Sequence, residues 1–290
     1  MQNFAMKERL FFHTSRTFAF FVLIILVGIF ITLFIQALPA IKTFGFSFLI
    51  TSDWSPNKEI FGGAAAIYGS VIGTILAMIF AIPLSLGIAI FLSEICPKKL
   101  KTFISSAIEL LAAIPSIVYG MWGLFYLTPF LGKVFGGMGI GILSAAIILS
   151  IMILPFMSSI TQEGMQTTPN ILKESAYALG ATKVEVIKDV ILPHIKVGVI
   201  GGMILALGRA LGETMAVTFV IGNSHKITSS LLLPATNIPA TLANEFAEAD
   251  SDLYYSSLFY LALILFSLSL FVITTAKFYL IKKTKKGKIR

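Results

Sequence analysis

The segment TPNILKESAYALGATKVEVIKDVILP, Thr168 to Pro193, brings charge into the middle of long apolar runs and reads as two short helices. Thr168 can cap the first, with Pro169 in a first turn where a missing N–H costs nothing and φ is already helical. Gly180 suits the left-handed position that ends such a helix. Thr182 starts the second with Glu185 placed for a capping box, and Val186, Ile187, Val190 and Ile191 form one apolar stripe. Pro193 closes it. Lys173, Glu174, Lys183, Lys188 and Asp189 keep the remaining faces polar. Taken alone this is an ordinary surface hairpin, and its meaning comes from what flanks it.

Of the 290 residues 57% are apolar and only 12% charged, too much apolar surface for a soluble core. The expected class is an all-α membrane protein with six transmembrane helices and this helical hairpin between spans four and five. The spans are about 17–38, 66–93, 103–127, 140–160, 195–221 and 254–281, each long enough to cross as a helix. The first run is longer than the core of a secretory signal and reads better as a retained span. The net charge of +8 could suggest nucleic acid, but the basic residues flank the spans, so the expected contact is membrane lipid and no nucleic acid.

Seventeen Lys and Arg lie at the two termini, in the 94–102 loop and in the hairpin region, against four (Lys42, Lys58, Lys133, Lys226) on the other side. The positive-inside rule places both termini and the 163–194 loop in the cytoplasm. Glu245, Glu248, Asp250 and Asp252 then fall on the outer side, as a solvated loop or a partner contact. Cys96 is the single cysteine, and His13, His194 and His225 lack ligand spacing, so no metal site is expected.

Two charges stand inside the fifth span. Arg209 and Glu213, four residues apart, share a face of an unbroken helix, where each needs a partner or water. They form either a structural ion pair or the lining of a polar path, Arg209 attracting an anion and Glu213 accepting from a protonated oxygen. Glu109 stands near the cytoplasmic end of the third span and ranks below them. Gly198, Gly202, Gly208 and Gly212 allow close approach of another helix, from this chain or a second one. Pro83, Pro115 and Pro155 fall within spans and read as tolerated kinks.

The hairpin motif resembles the EAA loop of ABC importer membrane subunits, E-A-A-x3-G-x9-I-x-L-P. Glu174, Ala176, Gly180, Leu192 and Pro193 match, while Ser175 stands for Ala and Val190 for Ile. The stretches ELLAAIPSIVYGMWG (109–123) and LGRALGETMAV (207–217) closely resemble PstC-type permeases of phosphate ABC importers. The resemblance implies a prokaryotic cytoplasmic-membrane permease that moves phosphate and is not itself an enzyme. It implies a cytoplasmic ATPase dimer docked on the hairpin, with Glu174, Ser175, Ala176, Gly180, Leu192 and Pro193 as coupling residues. A second homologous permease subunit and an extracytoplasmic phosphate-binding protein would complete the assembly. ATP and Mg belong to the ATPase, since no phosphate-binding loop occurs here: Gly132-Lys133 is followed by Val134, and Gly287-Lys288 by Ile289. An importer of another oxyanion, sulfate- or molybdate-like, is the alternative, and a secondary transporter a more distant one.

Overall fold

The computed structural model describes residues 2–228 and 230–287; Lys288 and Arg290 of the basic tail lie outside them. Its regular structure is helical, with two isolated bridges, Ser55 to Ile60 and Gly222 to Ala235. Among the described residues, five helical stretches are long and apolar enough to cross a membrane: Phe11–Leu49, Ala64–Ile95, Ile142–Gln166, Lys183–Gly212 and Asp252–Phe278. A bent pair, Lys98–Ala113 with Ser116–Phe135, supplies a sixth if counted as one span.

The centre is the pair α2 (Ala64–Ile90) and α6 (Ile142–Gln166), the most extensive helix contact in the molecule. It forms because α2 presents small residues at helical spacing: Ala66, Gly69, Ser70, Gly73, Thr74, Ala77 and Ala81 are all buried. Small side chains let two backbones approach, which supplies the packing that lipid cannot drive by the hydrophobic effect. Gly69 shows the limit, since a Cβ there would stand 1.8 Å from the Thr236 carbonyl oxygen. Helix α1 (Gln2–Phe44) packs on the last helix, Asp252–Gly287, through Ala37, Ala40 and Leu258, while Phe18, Phe20, Phe21 and Leu23 stay exposed as a lipid-facing band.

The third expected span, 103–127, is divided. Helix α3 (Lys98–Ala113) ends at Ile114, whose backbone is extended, and α4 (Ser116–Trp122) restarts after Pro115 at 93° to it. A proline disfavours helical geometry in the residue before it and removes a donor, so Pro115 is a break and not a tolerated kink. A π turn, Gly123–Leu127, carries α4 into α5 (Thr128–Phe135). Pro83 and Pro155 do lie within continuous helices.

The hairpin departs from expectation at both ends. Helix α7 (Asn170–Ala178) has no side-chain cap, and Thr168 is buried with its hydroxyl unbonded. Pro193 does not close the second arm: α8 (Lys183–Glu185) runs through a π turn, Val186–Ile191, into α9 (Leu192–Gly212). The widened turn accommodates a ring that would clash with the carbonyl four residues back in a regular helix. Arm two and the fifth span are therefore one rod. The chain continues through α10 (Met215–Ile221) and α11 (Ile238–Glu245) to α12 (Asp252–Gly287).

Candidate functional site

The fifth span is interrupted at its charged residues. Helix α9 ends at Gly212, Glu213 is extended (φ −72°, ψ 123°), and α10 restarts at Met215. Glu213 is the cap residue of α9, its N–H still donating to the Ala210 carbonyl at 3.5 Å, and the chain turns away only after it. Among the described residues the ion pairs are Lys173 with Glu94 and His225 with Glu245, so Arg209 and Glu213 are not paired.

Each has another neighbour. The Glu213 carboxylate accepts from the Ala216 N–H at 3.3 Å and so satisfies a donor in the first turn of α10. The Arg209 guanidinium sits over the Phe156 ring, 5.8 Å from its centroid, within cation–π range. Thr214 donates back to the Gly212 carbonyl at 3.3 Å, meeting one of the acceptors the break frees. Interrupted backbone inside a membrane persists only where protein or a wet cavity satisfies it. An exposed Arg209 and a half-buried Glu213 at such an interruption form a polar spot in an apolar span.

Glu109 is brought to the same neighbourhood from α3. It lines a cleft of about 220 Å³ with Ala112, Pro155, Phe156, Ser159 and Ile160, so Phe156 borders both Glu109 and Arg209. The four glycines of the span divide: Gly202 meets Ile160 and Gly208 meets Ile273, whereas Gly198 and Gly212 have open space beside them.

At the other end of the rod the hairpin is built by local chemistry. Gly180 has φ +86°, its N–H donates to the Tyr177 carbonyl at 2.9 Å, and the Ala181 N–H donates to the Ala176 carbonyl at 3.1 Å. Those two bonds are the Schellman pattern. Thr182 and Glu185 complete the capping box reciprocally. The apolar stripe of the second arm faces inward: Val186, Ile187 and Ile191 pack with Ala89, Met165 and Ile195. A different apolar set faces out, Ile171, Tyr177, Leu179 and Val184, with Leu179 89% exposed. Of the motif residues, Glu174, Ser175, Gly180 and Pro193 are exposed, while Ala176 and Leu192 border the buried plug.

Residues 81–286 match the family model described as the binding-protein-dependent transport system inner membrane component. The chain belongs to that family. The charged break and the hairpin both lie in the part that makes it a permease of this type. Its relatives include the phosphate transport system permease protein PstC of Mesorhizobium japonicum, 49% identical over 97% of this chain and 92% of that one. The protein of the same name from Haemophilus influenzae is 44% identical over 97% of this chain and 96% of its own. Among solved structures, the MetNI methionine ABC transporter gives a TM-score of 0.62 at 16% identity, covering 76% of this permease and 94% of that chain. A bacterial ABC transporter involved in the import of alginate gives 0.61 at 16% identity over 93% and 98%. These two establish likeness of fold.

One further site escaped the sequence. Glu245 accepts from Trp54 Nε1, from the Tyr254 hydroxyl at 2.8 Å and pairs with His225 Nε2 at 2.7 Å, while the Trp54 and His225 rings stack at 5.0 Å. The acidic residue is thus a hub joining four segments. No local spacing signals it, because Trp54 lies 191 positions away.

Proposed function

We propose that this chain is the membrane permease subunit of an ATP-driven importer of inorganic phosphate, working with a separate ATPase that docks on the Asn170–Gly180 arm. The observation that carries the reading is an unpaired Arg209 beside Glu213 at a break in a span, in a chain similar over nearly its whole length to phosphate permeases. Phosphate near neutral pH keeps at least one proton, whereas sulfate only accepts. Arg209 attracts the anion, and a carboxylate at Glu213 accepts that proton's hydrogen bond and repels sulfate. The hairpin, with both termini, lies in the cytoplasm, and ATP and Mg are bound by the ATPase dimer. A second homologous permease faces the open glycines Gly198 and Gly212 and supplies the other half of the pathway. An extracytoplasmic phosphate-binding protein delivers the anion to the outer loops.

The test is ATP hydrolysis by the reconstituted complex with phosphate, and with sulfate as control. Stimulation by phosphate alone is expected, and its absence would remove the substrate assignment. Glu213→Gln, inserted and assembled normally, should lose rate or discrimination between the two anions. Unchanged transport and selectivity in that variant would remove the role given to Glu213.

A further inference from the structure

Arm one of the hairpin is loosely held. Helix α7 buries none of its residues. Ala176 touches the apolar plug from its edge, but the plug itself is made by the second arm with α2 and α6. Beyond the hairpin, the polar tie from α7 to the membrane-embedded body is, among the described residues, a single ion pair: Lys173 Nζ lies 2.7 Å from Glu94 Oε1, with the side chains 19% and 12% exposed.

Glu94 is not on a regular helix. It belongs to the π turn Phe91–Ile95, which extends α2 and closes with the Cys96 N–H donating to the Phe91 carbonyl at 2.8 Å. A turn with an extra residue resets the direction of the side chains it carries, and here it brings Glu94 onto the hairpin. From Glu94, α2 runs to the opposite face of the molecule. There Ser70 Oγ accepts from the Ile238 N–H at 2.9 Å and Gly69 lies under the Thr236 carbonyl. One helix thus touches the hairpin at one end and the outer loop at the other.

We infer that Glu94 is a positioning residue for energy coupling: its ion pair with Lys173 fastens arm one to α2, so that displacement of α7 moves α2 together with α9. The inference rests on the reading that α7 receives the ATPase. Neither residue touches substrate. A partly buried pair at a membrane edge is screened less than an exposed one, and reversing either charge turns attraction into repulsion at contact distance.

The experiment uses the assembled importer purified through this chain and reconstituted in vesicles, with phosphate transported per ATP hydrolysed as the readout. Glu94→Lys and Lys173→Glu are each expected to lower that ratio about fivefold, with the double exchange returning it to within about twofold. Amide exchange in α7 should quicken in both single variants and slow again in the double. An unchanged ratio in the single variants, even with less complex recovered, would show a pair that only stabilises and would overturn the proposal. So would a double exchange as impaired as either single change. Leu179→Asp, on the outward face, separates this from the underlying reading: loss of the ATPase there with a normal ratio in Glu94→Lys defeats the strut alone. Full ATPase retention and transport in Leu179→Asp defeats the hairpin reading and the strut with it.

Discussion

Substituting Gly180 tests whether the angle between the hairpin arms matters. Its φ is +86°, in the left-handed region, yet an added Cβ would meet nothing within 4 Å. The penalty is therefore backbone strain alone, about 1–2 kcal/mol for an L-residue and greater for a β-branched one. Set against the two turn bonds that end α7, this lowers the population of the native turn by a factor of roughly 5–30. The second arm stays anchored through Val186, Ile187 and Ile191, so the membrane body keeps its fold while α7 swings away. Coupling should fall in the order Gly, Asn, Ala, Val, because Asn tolerates the left-handed region. The assay is phosphate-stimulated ATP hydrolysis and phosphate uptake by the assembled complex, with membrane insertion as the control that must not change. Normal stimulation and uptake in Gly180→Val would refute the docking role. Equal losses in Gly180→Asn and Gly180→Val would refute the backbone argument.

Other outcomes follow from local geometry. Thr182→Ala removes the capping box and should cost about 1 kcal/mol locally, read as faster amide exchange at Lys183 to Glu185 with the plug residues unaffected. Glu245→Ala leaves Trp54, Tyr254 and His225 without their shared acceptor and should destabilise the chain by about 3 kcal/mol, with a shift in Trp54 fluorescence; Glu248→Ala, on an exposed position, should do neither. Gly69→Ala should lower the thermal midpoint of the isolated chain in detergent by forcing α2 from the Thr236 carbonyl, a loss of about 1–3 kcal/mol. Gly87→Ala, on the same helix with nothing within 4 Å, should hold or raise it.

What could be read from the sequence was chemistry confined to a few neighbouring residues. The capping box at Thr182 and the left-handed Gly180 are each decided by three or four consecutive positions, and both are present. Proline was ambiguous for a physical reason. Pro115 breaks a helix, Pro83 and Pro155 sit inside helices, and Pro193 is carried past a widened turn, although the ring is the same in each. The difference lies in whether the preceding turn can widen or a neighbouring helix can hold the chain straight, which is tertiary information. The Glu213 break had even less signal, since nothing between Gly208 and Val217 forbids a helix. Its extended backbone is stabilised by the Ala216 bond and by packing of α10 against α4, a partner almost a hundred positions earlier.

The two errors of continuity change how the hairpin and the charged residues relate. With Pro193 as a stop and the fifth span unbroken, the hairpin would be a separate appendage and Arg209 an interior member of a uniform helix. In the structure the rod from Lys183 to Gly212, 30 residues or about 45 Å at 1.5 Å per residue, begins in the hairpin and carries Arg209 in its last turn. Beyond it α10 is a separate short helix that packs against α4, itself cut from α3 at Pro115, through Tyr119, Ala216, Val217 and Val220. Gly120 is what admits that contact, since a Cβ there would stand 2.8 Å from the Phe219 ring and 3.1 Å from the Ala216 backbone. The pair α4 and α10 is thus free of rigid helical continuity with α3 and α9 yet packed as one body. Glu213 stands at the joint, its N–H donating to the Ala210 carbonyl of α9 at 3.5 Å and its carboxylate accepting from Ala216 of α10, so a bend of the rod against α10 would change its separation from Arg209. If the hairpin receives the ATPase as proposed, the separation of the two charges, and not the presence of either, is the quantity it would act on.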